Sequence, residues 1–125
     1  MVHYCRFSDR DWTTDLDIRE ADGEFVTVVA SFRYQFNDPL PPAAGLADSG
    51  DVAYVNREIQ VLRILDRADK VQISAPGIAG KTFRDRSPIA CADRMEWLIT
   101  QGFRVPEWAR EQLHQRAREA EEVHA

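Results

Sequence analysis

Every second residue from Val26 to Phe36 is apolar: Val26, Val28, Ala30, Phe32, Tyr34 and Phe36. A helix repeats its faces about every 3.6 residues and cannot use such a pattern, so the segment from Phe25 to Phe36 predicts one long strand with a single buried face. Upstream, TDLDIRE puts Leu16 and Ile18 on one face and Asp15, Asp17 and Arg19 on the other, which predicts a hairpin through Ala21-Asp22-Gly23. A two-residue loop at Asp22-Gly23 sets Leu16 opposite Val29 and splits the apolar sets between faces. A three-residue loop with Gly23 in a left-handed bulge pairs Leu16 with Val28 and Ile18 with Val26, and is preferred on that ground. His3 to Phe7 reads as a further short strand, and Asp15 and Asp17 as a solvated strand face rather than a pair of catalytic carboxylates.

With 125 residues, 44% of them hydrophobic, the chain suits one domain, residues 1–125. Residues 1–36 read as a β-ribbon, 37–50 as a Pro/Gly-rich connection and 51–122 as a helical part. A net charge of −5 and a pI near 5.2 argue against generic adhesion to nucleic acid or anionic membrane. No apolar run approaches a membrane span, the N-terminus lacks the apolar stretch of a signal peptide, and Cys5 and Cys91 are too far apart for a C-x-x-C pair. The expectation is a soluble protein with reduced thiols.

In the connection NDPLPPAAGLADSG, the PxxP form of Pro39 to Pro42 is explained by a linker. Asp51 predicts an N-cap for a helix to about Ala68. Its wheel carries two apolar stripes, one of Val52, Val55, Ile59 and Leu62, the other including Tyr54, Val61, Ile64 and Leu65. So broadly apolar a helix is expected to be central, covered by the sheet on one side and by other helices or a second copy of the chain on the other. After a short stretch at Val71 to Ser74 and a loop, Ser87-Pro88 opens a second helix ended by Gly102, with Phe103 folding back towards Leu98 and Cys91, Ala92, Met95, Leu98 and Ile99 facing inward. Pro106 opens a third, whose stripe is Ala109, Leu113, Ala117 and Ala120, before an acidic tail expected to fray. The fold class is therefore α+β, an antiparallel β-ribbon or meander packed against about three helices.

The segments LRILDRADKVQI, GKTFRD and CADRMEWLITQGFRVPEWA, with the H-Y start, resemble a group of short uncharacterised proteins encoded by bacteriophages of actinobacteria. The resemblance covers most of the chain. It implies a small non-virion protein made in the cytoplasm of an infected bacterial host cell, and it implies no catalytic residue.

APGIAGKT, residues 75–82, is one glycine short of a P-loop because Ala75 stands at the first position. Lys81-Thr82 should begin a helix aimed at the phosphates. Ser87-Pro88 places the next helix start too late, so the stretch reads as an ordinary glycine turn. His3, Cys5, Cys91 and His114 lack the close spacing of a zinc site, and Cys91 falls on a core face where a thiol is inert. No cofactor and no catalytic constellation is expected. Arg63, Arg67, Lys70, Arg84, Arg86, Arg94 and Arg104 alternate with Asp66, Asp69, Asp85, Asp93 and Glu96, the pattern of a salt-bridged surface rather than a nucleic-acid site.

Trp97 falls across the wheel from Met95, beside Arg94. Cover by another segment is the ordinary reading; an exposed ring would be a contact anchor. Trp108 shares that ambiguity. The leading expectation is a non-enzymatic protein that binds a macromolecule, a host protein in infection, with Trp97, Arg94 and Trp108 as contacts and a homodimer as a further association. The alternative is a module for a small anionic ligand such as a nucleotide signal, held by Lys81, Arg84 and Arg86.

Overall fold

The computed structural model describes residues 1–9, 12–37, 39–41 and 51–124, the side chains of 51–54, 123 and 124 excepted. The chain is α+β. Strands β1 (Val2–Cys5), β2 (Leu16–Ala21), β3 (Glu24–Val29) and β4 (Phe32–Gln35) precede helix α1 (Asp51–Arg67). Strands β5 (Asp69–Gln72) and β6 (Thr82–Asp85) and helices α2 (Pro88–Thr100) and α3 (Glu107–His124) follow. They form two compact units, one of Met1–Ser31 with Ile73–Ala125, the other of Phe32–Gln72. Most of the expected 37–50 connection, including Pro42, lies outside the described residues. Among the described residues no helix is long and apolar enough to cross a membrane.

The first unit holds an antiparallel sheet of order β1-β2-β3-β6. Its core is one cluster in which Leu16, Ile18, Phe25 and Val29 of the sheet meet Cys91, Met95 and Leu98 of α2 and Leu113 of α3. A bulge between His3 and Cys5 lets two successive residues, Tyr4 and Cys5, both be buried, and the Tyr4 ring stacks on Phe25 at 6.1 Å.

The β2–β3 hairpin corrects the expected register. Leu16 lies opposite Val29, Ile18 opposite Thr27 and Ala21 opposite Glu24, leaving the two-residue loop Asp22-Gly23 with φ of 54° and 76°. Two left-handed residues in succession make the turn whose twist matches the strands. The inward face of β3 is therefore Phe25, Thr27 and Val29, all fully buried, and not the Val26, Val28 and Ala30 set. Thr27 is accommodated there because its hydroxyl lies 3.9 Å from the Cys91 sulfur, within hydrogen-bonding reach of a thiol.

The long strand also divides. Ala30 donates its N–H to the Asp15 carbonyl, Ser31 accepts from Ile73 N–H at 3.0 Å, and beyond them β4 pairs with β5 in the second unit. That switch removes α1 from the place expected for it. The main sheet is covered by α2 and α3, while α1 belongs with β4 and β5. Within that unit Phe32, Tyr34 and Phe36 form an aromatic ladder with centroids 6.0 and 6.2 Å apart, Lys70 places its ammonium 4.9 Å over Phe32, and Asn37 Nδ2 donates to the terminal Arg67 carbonyl of α1. Of the two apolar stripes of α1, Val61 and Ile64 are buried and Val55, Ile59 and Leu62 are exposed.

Helices α2 and α3 follow their local signals. Ser87 Oγ accepts from Ala90 N–H at 3.0 Å, Pro88 takes the first turn, and Gly102 at φ 97° ends the helix so that Phe103 N–H returns to the Leu98 carbonyl. Phe103 is buried, as are Ala109, Leu113 and Ala117 of α3. The acidic tail remains helical to His124.

Candidate functional site

Strand β6 was expected to be loop, since Thr82-Phe83-Arg84-Asp85 offers a single apolar residue. It is an edge strand of the sheet, and its alternation decides what stands beside α2. Phe83 and Asp85 share a face. Asp85, nearly buried, accepts from Arg94 Nε at 3.0 Å and Nη2 at 3.1 Å, a two-pronged pair that makes the guanidinium hold its proton more firmly still. The same guanidinium lies 4.5 Å over the centre of the Phe83 ring. One turn further along α2, Trp97 meets Phe83 edge to face at 6.0 Å and 88°.

Trp97 keeps 40% of its surface exposed, so the packing on Phe83 orients the ring without covering it. Ile89, two turns earlier on α2, is exposed as well. The result is an aromatic pair, Trp97 on Phe83, whose neighbouring Arg94 is fixed from two sides. Trp108, by contrast, is half-buried against the core cluster.

The anionic-ligand residues are not drawn together in this way. Arg84 donates to Glu24 Oε1 at 2.6 Å, and Lys81 and Arg86 are exposed. The APGIAGKT stretch is a knot of turns with Gly77 and Gly80 at positive φ. Four successive amides already donate within the protein: Ile78 and Ala79 to the Ala75 carbonyl, Gly80 to Val29 and Lys81 to Ile78. Thr82 then opens β6 rather than a helix. A phosphate cradle needs free amides leading into a helix N-terminus, whereas these four amides are engaged and a strand follows them.

Other carboxylates clasp the scaffold. Asp15 is buried, which corrects its reading as part of a solvated face: Arg104, in the α2–α3 connection, donates to it from backbone and side chain. Glu20 accepts from Tyr4 at 2.5 Å and from Arg116 of α3 at 3.3 and 3.4 Å; burial and that carboxylate push the Tyr4 phenol up. Glu96 of α2 receives Arg110 and His114 of α3, and the Arg110 hydrogen bonds hold its carboxyl below the usual range. Arg84, Arg94 and Arg104, three of the cations available for nucleic acid, thus each have a carboxylate partner.

Cys5 and Cys91 are free, buried thiols, each pushed up to about 12 by desolvation. Cys5 donates to the Leu16 carbonyl at 3.1 Å. Among the described residues no group of three or more His, Cys, Asp and Glu is placed to hold a metal ion.

Sequence reading singled out Trp97 and Arg94 but missed Phe83, which joins them. The usable signal was the alternation of Phe83 and Asp85 ahead of the Ser87 cap. Compared with protein-family models, curated proteins and solved structures, the chain matches none.

Proposed function

We propose that this chain is a non-enzymatic protein that acts by binding a macromolecule, a host protein in the cytoplasm of a phage-infected bacterium, as a host-takeover or counter-defence factor. The phage setting rests on the resemblance of LRILDRADKVQI, GKTFRD and CADRMEWLITQGFRVPEWA. The observation that carries the binding mode is Trp97, 40% exposed and oriented by Phe83 beside a fixed Arg94. Tryptophan and arginine dominate contact energies because a large ring or guanidinium that is already ordered loses little entropy on docking.

The test is capture from an actinobacterial lysate by the immobilised full chain, beside Trp97→Ala and Trp97→Phe. The expected result is a specific protein retained by the wild type, weakened by about 2 kcal/mol or more with Trp97→Ala and partly restored with Trp97→Phe. Equal capture by Trp97→Ala would count against this surface. A nucleotide-dependent rise in melting temperature, abolished by Lys81→Ala, would instead favour a small anionic ligand.

A further inference from the structure

Among the described residues, helix α1 is covered on one side only. Val61 and Ile64 are buried, while Val55, Ile59 and Leu62 are 51, 42 and 61% exposed. The exposed three are spaced four and three residues apart, the alternation of a coiled-coil seam, with Ile59 at an a position and Val55 and Leu62 at d positions. Val52 continues the pattern by sequence at the preceding a position. A β-branched residue at a with leucine at d is the combination that favours two strands.

The residues flanking this seam choose both the occupant and its direction. Glu58 precedes Ile59 at a g position, and Arg63 follows Leu62 at an e position. In a parallel two-stranded coil, a g residue meets the e residue five positions later on the partner helix. Glu58 of each copy would then lie beside Arg63 of the other, giving two symmetric attractions. An antiparallel pairing that keeps the same apolar layers sets Glu58 against Glu58. Glu58 is also 3.8 Å from Arg57 on its own helix, a contact between successive residues that leaves it partly exposed, and Arg63 is exposed. The next a position is Asp66, also exposed, where two carboxylates would meet at the C-terminal end.

We infer that the exposed face of α1 is a self-association surface, on which a second copy of this chain docks as a parallel two-stranded coil with Ile59 and Leu62 at its centre and Glu58–Arg63 pairs at its flanks. The helix has 17 residues, roughly 25 Å, so the seam holds about two heptads and the dimer is in reversible exchange with monomer. This inference does not depend on the role proposed for Trp97, which lies on α2.

Sedimentation equilibrium of the full chain tests it, with circular dichroism to follow folding. The wild type is expected to show a concentration-dependent dimer. Leu62→Asp should abolish it with the melting temperature of dilute protein unchanged, because that side chain is exposed in the monomer. Glu58→Arg and Arg63→Glu should each raise the dimer Kd at least about tenfold, and the double exchange should restore it to within about threefold. Asp66→Asn should tighten the dimer by relieving the like-charge layer. A monomer at every concentration would overturn the inference, as would a dimer indifferent to Leu62→Asp. A dimer indifferent to Glu58→Arg would overturn the parallel pairing, and a Leu62→Asp variant that unfolds would show the stripe belongs to the monomer's own packing.

Discussion

The Arg104 guanidinium closes on the Asp15 carboxylate through Nε to Oδ2 at 3.2 Å and Nη2 to Oδ1 at 3.1 Å, and the Arg104 backbone N–H adds a contact of 2.6 Å to the same carboxylate. The backbones are joined as well, Asp15 N–H donating to the Arg104 carbonyl and Ala30 N–H to the Asp15 carbonyl, each at 2.9 Å. One 2%-exposed side chain thus ties the start of β2 to the α2–α3 connection. Asp15→Ala strands the Arg104 amide and is expected to cost about 3 kcal/mol in urea denaturation. Asp15→Asn keeps an acceptor and should cost less, and Arg104→Lys should fall between wild type and Asp15→Ala. A loss below about 0.5 kcal/mol for Asp15→Ala would refute the clasp.

The hairpin turn depends on two left-handed residues, Asp22 and Gly23. A Cβ on Gly23 would meet nothing within 4 Å, so Gly23→Ala is opposed only by its backbone angle and should cost about 1 kcal/mol. Asp22→Asn should be neutral or slightly stabilising, since asparagine accepts that conformation readily. Thermal melts of both variants measure this, and an unaffected Gly23→Ala would contradict a left-handed Gly23 in the turn.

Both thiols are buried, with pKa values raised to about 12, so thiolate is scarce near neutral pH. A disulfide reagent at pH 8 should titrate almost nothing in the native protein and both cysteines in denaturant. Rapid native labelling would contradict the burial of Cys5 and Cys91.

Two carboxylates should shape the acid limb in opposite directions. Glu96 is lowered from its ordinary 4.5 by hydrogen bonds from Arg110, with His114 adding to them, so the folded state binds its proton less tightly than the unfolded chain. Its stabilising effect is present above pH 4.5 and is lost as pH falls through the depressed value. Asp17 is raised from 3.8 by desolvation, so its charge opposes folding above that pH, and the opposition fades as pH falls through the raised value. Glu96→Gln should therefore flatten the acid loss of stability, and Asp17→Asn should stabilise at neutral pH with the gain vanishing in acid. Urea midpoints against pH would expose an error in either sign.

Helix α2 shows what the sequence alone determined. Ser87, Pro88, Gly102 and Phe103 act through contacts within a few residues, and each holds the place its chemistry demands; the inward set Cys91, Ala92, Met95 and Leu98 follows from helical spacing with no knowledge of the sheet. The twin stripes of α1 were equally legible, and of the arginines in the charge alternation Arg94 finds its partner within it, Asp85, whereas Arg84 and Arg104 pair with Glu24 and Asp15 far away in the chain. What the tertiary structure decided involves groups distant in the chain. Leu16 lies opposite Val29 because Thr27 can be buried beside Cys91, 64 residues away, which makes the polar-looking face of β3 the inner one. Asp15 is buried because Arg104, 89 residues away, satisfies it. Thr82-Phe83-Arg84-Asp85 becomes a strand only because β3 offers it an edge. The two stripes of α1 look alike on a wheel, and only packing selects Val61 and Ile64 for burial and leaves Val55, Ile59 and Leu62 in solvent. Local signals are written in dihedral preference and periodicity, whereas burial of a polar group or choice of a face is a free-energy difference set by a partner that only the folded chain brings within reach.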